Sequence, residues 1–399
     1  MVRFIVAACT AVVLMFGTGC SPATTPVPSA SSPMDRLRTG LEEFSQDRLA
    51  AGASAVLIQL RINGEAWSGA AGVRDLDTKV PAEPADSFHI ASLTKSMVAV
   101  SVMKLVGQGK IRLDGEVSEY LPELKKRLQP PEPVTVRMLL EHTSGMPSFE
   151  EVLIRSGPLK QVLTTPLTAE RRMELAGTLP WNTDDIGVFR YSSSNYVVLG
   201  LLIEQVTGRS LSDVLQADIA EPLGLSGTRL TGTGPAPPDM IHGYVVIDGE
   251  RVDAALAGVQ DGSASGGMVS TAPDVSEFYA ALLGGRLLGP DLLAEMQSPN
   301  ASQYGLGLAK WWDSCAKGYY YGHLGGAPGY ASAAMVSADG SRQLTLFVAL
   351  GKNPSVLMHL RPTMGWASSL SRRSTAPAAR NAAAAHPSTK ADSHIQEVS

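Results

Sequence analysis

The chain has 399 residues, 44% of them hydrophobic and 18% charged, so it can bury a large core. Length alone allows two or three domains of roughly 150 residues, or one large α/β enzyme. Its net charge of -5, with no basic run longer than Lys125-Lys126-Arg127, excludes the electrostatic footprint of a nucleic-acid binder.

Residues 1–20 read as an export signal. Arg3 supplies a positive start, Phe4 to Phe16 an apolar stretch, and Gly17-Thr18-Gly19 the small residues before Cys20. The apolar run is shorter than the roughly 18 to 20 residues a bilayer span needs. A cysteine in this setting resembles the lipobox of bacterial lipoproteins, although Gly17 stands where leucine is usual. The expectation is an exported protein, lipid-anchored through Cys20 to the outer face of the bacterial cell membrane, with plain secretion as the alternative. With Cys9 removed and Cys20 acylated, Cys315 has no disulfide partner and reads as a small buried hydrophobe.

Residues 21–33 are almost all Ser, Pro, Thr and Ala, a composition that cannot bury apolar surface and reads as a tether. Residues 371–399 read as a disordered tail, which leaves 34–370 as the folded domain. Strand patterns at Ala55–Leu60 and Glu65–Gly72 flank Asn63-Gly64, a strong hairpin signal. An amphipathic helix follows over Leu93 to Leu105, closed by Gly107 and Gly109. Further helices are expected at Thr135–Glu141, Tyr196–Thr207, Leu211–Ala220 and Pro273–Leu283. Strand patterns return at Gly305–Trp312, Ala331–Ser337 and Gln343–Ala349, before a last helix at Pro354–Ser369. The fold class expected is α/β of the α+β type: an antiparallel sheet completed by both chain ends, flanked by helices, with a helical subdomain inserted.

Ser92-Leu93-Thr94-Lys95 places a hydroxyl and an amine three residues apart at a helix start, on one face. Desolvation and the positive helix end both disfavour the ammonium form, so a neutral Lys95 can take the Ser92 proton. The same helix end offers the Ser92 N–H to a developing oxyanion. Ser314-Cys315-Ala316-Lys317 has the same spacing, but in a hairpin loop where the two side chains need not meet. Tyr191, in a polar cluster before an apolar helix, can pass protons between Ser92 and a leaving group. Gly322-His323-Leu324-Gly325-Gly326 opens a strand edge whose glycines let a substrate backbone approach, with the Gly326 N–H as second oxyanion donor. Taken singly, Tyr191 and His323 also read as ordinary core residues.

In this order the three elements resemble the family of class C β-lactamases and secreted D-alanyl-D-alanine carboxypeptidases. Supporting stretches include Phe88 to Ser92, Leu139 to Gly145, Pro222-Leu223-Gly224, Ser270 to Asp274 and Tyr304 to Leu308. The resemblance implies an acyl-enzyme on Ser92, a Lys95 and Tyr191 proton pair, and release of the acid by water. His-x-Gly in place of Lys-Thr-Gly implies the carboxypeptidase branch, acting on cell-wall peptides. Three positions depart from the pattern: Ser193 replaces an asparagine, Leu324 replaces a hydroxyl residue facing the substrate carboxylate, and Ala309-Lys310 stands where that branch has an arginine. Lys310 is then the nearest cation, although on an alternating strand it and Ala309 point to opposite faces. An esterase or weak β-lactamase is the alternative within the fold, and a non-catalytic β-lactam or peptidoglycan sensor the alternative outside enzymes. No cofactor is expected, and no metal, because His89, His142, His242 and His359 show no ligand spacing. No G-x-S-x-G elbow is present for a Ser-His-Asp site.

Overall fold

The computed structural model describes residues 32–351, apart from 156, 233–235, 257–261 and 314–316. Cys20 and the export signal, nearly all of the tether, Ser314 and Cys315, the helix expected at Pro354–Ser369 and the tail lie outside the described residues.

Helix α1 (Pro33–Ala50) opens with a capping box in which Ser32 and Asp35 satisfy each other's backbone N–H groups. Strands β1 (Ala53–Ile62) and β2 (Glu65–Gly72) form the expected hairpin, with Asn63 and Gly64 both at positive φ, 50° and 90°. After β3 (Phe88–His89), a 3-10 turn at Ala91–Leu93 leads into α2 (Thr94–Gly107). The helical middle comprises α3 (Val117–Tyr120), α4 (Pro122–Leu128), α5 (Val136–Leu140), α6 (Phe149–Leu153), α7 (Leu159–Thr164), α8 (Ala169–Ala176), α9 (Ser193–Thr207), α10 (Leu211–Leu215) and α11 (Glu221–Leu223). Short strands β4 (Arg229–Leu230), β5 (Tyr244–Ile247), β6 (Glu250–Asp253) and β7 (Met268–Ser270) precede α12 (Ala272–Leu283) and α13 (Pro290–Gln297). The described residues end on β8 (Ala309–Asp313), β9 (Gly318–Ala327), β10 (Tyr330–Ser337) and β11 (Arg342–Leu350).

The six-stranded antiparallel sheet has the order β2-β1-β11-β10-β9-β8, so both ends of the chain complete it, as the strand pattern implied. β1 pairs with β11 from Ala55↔Ala349 to Ile62↔Arg342. Alternation splits the side chains between two cores. Ala55, Leu57, Ala334, Val336 and Phe347 join α2, α9 and α12 on one face, whereas Val56, Ile58, Leu60, Met335 and Leu346 lie under α1 on the other. With both faces covered, these strands read as nearly continuous apolar runs.

Element boundaries moved where polar residues begin an element. α9 starts at Ser193, one turn before Tyr196, because the serine cluster forms its cap and first turn. Leu211–Ala220 divides into α10 and a π-type turn at Gln216–Ala220. The strand expected from Gly305 begins only at Ala309, since Gly307 takes φ +79 and presses against α2. A Cβ on Gly307 would lie 2.4 Å from Ala99 Cβ, and Ser96 Oγ donates to the Gly307 carbonyl at 2.7 Å.

Candidate active site

Strand β3 carries the chain to Ser92 through its pairing with β7, Phe88↔Ser270. Ala91 then takes φ 50, a left-handed conformation that a buried alanine holds only when its surroundings impose it. Ser92 sits in the 3-10 turn ahead of α2 rather than on the α-helix itself. Lys95 follows in the first turn of α2, where residues three apart share a face, and its Nζ lies 3.1 Å from Ser92 Oγ. Lys95 is fully buried and also donates to the Ser265 carbonyl. Burial lowers its pKa to about 7, partly opposed by the negative charge of Glu150. A substantial fraction of neutral amine is therefore present near neutral pH, which is what a general base needs.

Tyr191 completes the group. Its phenol lies close enough to Ser92 for the serine hydroxyl to act on its pKa, and Lys95 Nζ lies 4.9 Å from the centre of its ring. Burial drives the phenol well above its ordinary pKa, with the Ser92 hydroxyl working the other way. It stays protonated and can relay a proton between the Ser92 oxygen and a departing group.

On the opposite wall, β8 pairs with β9 only as far as Ala309↔Gly322. Among the described residues no strand pairs with 323–327 on that side, and this edge runs beside the Ser92 turn. Gly325 permits the approach: a Cβ there would lie 2.1 Å from Ser332 Oγ and 2.6 Å from the Ile90 carbonyl. Gly326 is exposed on the same edge. His323 is buried, and burial first, then the Lys95 charge, lower its pKa to about 3. Its Nδ1–H donates to the Leu324 carbonyl and its Nε2 accepts from the Tyr304 hydroxyl at 2.9 Å. A neutral imidazole with both nitrogens engaged in this way holds the strand in place and is not free to act as acid or base.

Ser92, Lys95, Tyr191, His323 and Gly325 thus converge, and Ser193 is buried in the first turn of α9. Lys310 does not join them. It pairs in plain register with Tyr321, and its ammonium lies 4.0 Å from the ring centre of Tyr319 and 5.7 Å from that of Tyr321. Tyr319 is the ring farther from His323. Three participants escaped the sequence reasoning: the Ser265 carbonyl, His142 beneath Tyr191, and Glu150. The small polar run Ser263 to Gly267 was the only local signal for the first.

Away from this cleft, Asp75, His242 and Asp253 place ligand-type atoms within 4.8 Å of one another. His242 Nδ1 is 2.6 Å from Asp253 Oδ2 and 3.4 Å from Asp75 Oδ2, and the Asp253 hydrogen bond raises its pKa. The His242–Asp253 hydrogen bond and the nearby Asp75 fasten β6 to the segment after β2, and the contact becomes an ion pair when His242 is protonated.

A family model described as Beta-lactamase matches residues 41–363. The chain belongs to the Beta-lactamase family. It is 27% identical over 283 residues to the putative penicillin-binding protein PbpX of Bacillus subtilis, covering 71% of this chain and 67% of that protein. Against the protein flp of Staphylococcus aureus the match spans only 37% of the relative's length, at 28% identity. Among solved structures, a D-stereospecific amidohydrolase from Streptomyces superposes with a TM-score of 0.69 and 29% identity, covering 79% of this chain and 95% of that one. The D-amino acid amidase of Ochrobactrum anthropi, complexed with D-phenylalanine, gives 0.67 and 29%, covering 78% and 91%. The fold and the serine-hydrolase family are established by these matches together.

Proposed function

We propose that the protein hydrolyses amides, and more readily esters, of D-configured amino acids bearing a free amino group, through an acyl-enzyme on Ser92. The observation that carries this reading is Glu150, a half-buried carboxylate in α6 with no ion pair among the described residues, whose charge acts on both Lys95 and Tyr191. An anion placed there attracts a substrate ammonium and repels a carboxylate. The opposite wall gives the same preference: Leu324 offers no hydroxyl, and the Lys310 ammonium rests on Tyr319. A C-terminal carboxylate would enter without a partner, and an unpaired buried charge is costly. The two similar structures named for D-stereospecific amide hydrolysis support the choice.

In acylation, Ser92 Oγ attacks the carbonyl carbon as its proton passes to neutral Lys95. The oxyanion meets the Ser92 and Gly326 N–H groups. As the C–N bond breaks, a proton relayed through Tyr191 reaches the leaving nitrogen. Water then attacks the ester along the reverse proton path and frees the acid. D-alanyl-D-alanine carboxypeptidase activity, implied by the His-x-Gly resemblance, requires a carboxylate-binding cation, which the described residues do not place beside Ser92.

The test compares kcat/KM for a D-amino acid amide, its N-acetylated form and a D-alanyl-D-alanine peptide. The free-amino amide should lead by at least about tenfold, a difference of ~1.4 kcal/mol. Equal or faster release of D-alanine from the peptide would refute the proposal. Lipid anchoring is proposed with it: Cys20→Ala should shift the protein from membrane to medium, and a variant still bound to membrane would place the anchor elsewhere.

A further inference from the structure

Tyr191 belongs to no helix or strand, yet its oxygen must be held at Ser92 within a fraction of an ångström for proton transfer. The contacts that fix it converge on one residue, His142, which follows α5. The Arg190 N–H donates to the His142 carbonyl at 2.8 Å, and the Ser192 N–H donates to His142 Nδ1 at 3.2 Å. Both neighbours of Tyr191 are thus tied to the same side chain and its own backbone. Between those two bonds the imidazole lies against the Tyr191 ring, with centroids 4.2 Å apart.

The protonation state follows from the donors. Asn195 Nδ2 also lies 3.2 Å from Nδ1, and its orientation is fixed because Ser144 Oγ donates to Asn195 Oδ1 at 2.6 Å. Nδ1 therefore faces two N–H groups and must be the acceptor, which puts the proton on Nε2. Nε2 is buried without a partner, among the rings of Tyr196, Tyr304 and Phe189. A second proton would remove the acceptor and leave an unpaired buried charge beside Lys95 and His323. Burial and those two neighbours push the pKa well below its ordinary value. His142 also stands at φ 59, a strained conformation for histidine that lets its ring and its carbonyl both meet segment 190–192.

We propose that His142 is a positioning residue: a permanently neutral imidazole that clamps the peptide on both sides of Tyr191 and sets the phenol at Ser92. The proposal rests on reading Tyr191 as the proton carrier. Core packing alone does not require two hydrogen bonds bracketing one residue with a tilted ring lying against that residue.

The test uses His142→Asn and His142→Gly, both tolerant of positive φ. The Asn Oδ1 can stand where Nδ1 accepted, whereas glycine offers nothing. Each is assayed on an amide and on the p-nitrophenyl ester of the same acid, because only the amide needs a proton delivered to its leaving group. His142→Gly should lower kcat on the amide by about 10²-fold or more with KM little changed, and ester acylation by less than about tenfold. His142→Asn should retain most amide turnover, and adding His142→Gly to Tyr191→Phe should cost little beyond Tyr191→Phe alone. Equal losses in the Asn and Gly variants, equal losses on amide and ester, or additive losses in the double variant would each overturn the clamp. A Tyr191→Phe enzyme with full amide turnover would remove the role of Tyr191 itself, and the clamp with it. Should the glycine variant not fold, ring-¹⁵N NMR of the wild type decides. Nδ1 should remain unprotonated from about pH 5 to 9, and a titrating His142 or a protonated Nδ1 sinks the proposal.

Discussion

The two walls of the cleft are built on opposite physical rules. On the wall of α2, α6 and the segment before α9, polar groups are buried and held: Lys95 by Ser92 and the Ser265 carbonyl, Tyr191 by Ser92 and the bracket around it. On the wall of β8 and β9, the backbone edge past Gly322 is unpaired among the described residues, Leu324 offers no polar group, and Trp312 is 52% exposed beside Lys310 and its tyrosines. Proton transfer needs shifted pKa values, and burial shifts them, so the first wall cannot vary without losing the chemistry. The second wall acts through its backbone edge, so its exposed side chains can change while that edge remains.

The largest expected effect separates the buried Ser-x-x-Lys from its copy. Ser92→Ala should abolish labelling by an activated acyl donor while Ser314→Ala leaves it unchanged, as intact mass will report. Labelling that persists in Ser92→Ala removes the proposed nucleophile. Lys95→Met should lower kcat/KM by about 10² to 10⁴-fold, the usual contribution of a positioned base. The same variant should be no less stable at pH 7, since an apolar side chain has no ammonium to desolvate. The sign follows from linkage: Lys95 has a pKa of about 7 when folded against 10.5 in an unfolded chain, so the unfolded state binds more protons between those values. Wild-type stability relative to Lys95→Met should rise with pH across that window, and a flat difference would show that Lys95 is not depressed.

Next in size is Gly325→Ala. Its Cβ would strike the Ile90 carbonyl and Ser332 Oγ, at 2.6 and 2.1 Å, so β9 must retreat from the Ser92 turn. Displacement of the oxyanion edge by about 1 Å costs on the order of 10²-fold in rate. An alanine variant with wild-type kcat would show that this edge does not contribute to catalysis. Lys310→Ala tests the outer wall and should change kcat/KM for peptides ending in a carboxylate by less than about threefold, below ~1 kcal/mol. A larger rise in KM for those peptides alone would show that Lys310 leaves Tyr319 when such a ligand binds.

What the sequence made legible follows the same division. The N–G hairpin, the shared sheet and Ser92 with Lys95 are set by local pattern: period, turn residues, a three-residue spacing. The Ser265 carbonyl and Glu150 act on Lys95 from 170 and 55 residues away in sequence, and His142 meets Ser192 from 50 away, so no local pattern reveals what each of them does. Gly305–Trp312 reads as one strand because it is apolar apart from Lys310. Only the pressure of α2 on Gly307 shows why its first half is a turn. Lys310 was a candidate because it is the cation nearest in sequence, and stacking on Tyr319 is a tertiary preference that alternation cannot reveal.

The smallest predicted effect joins the two ends of the proposal, the base and the anion. Activity requires neutral Lys95, so the rate should rise with pH through about 7 and level off above it. Glu150 raises the Lys95 pKa, and a substrate ammonium seated against Glu150 cancels part of that field. The complex with a cationic substrate should therefore hold Lys95 at a lower pKa than the complex with an N-acetylated one. The difference belongs in kcat, which reports the complex, and not in kcat/KM, which reports the free enzyme. The acidic limb of kcat should lie lower for the free-amino amide by a few tenths of a unit or more, each unit being about 1.4 kcal/mol of interaction. Glu150→Gln should move the limb down for both substrates and erase the gap between them. A gap that survives Glu150→Gln would mean that the substrate amine acts on Lys95 from another position, and the carboxylate in α6 would lose its assigned part.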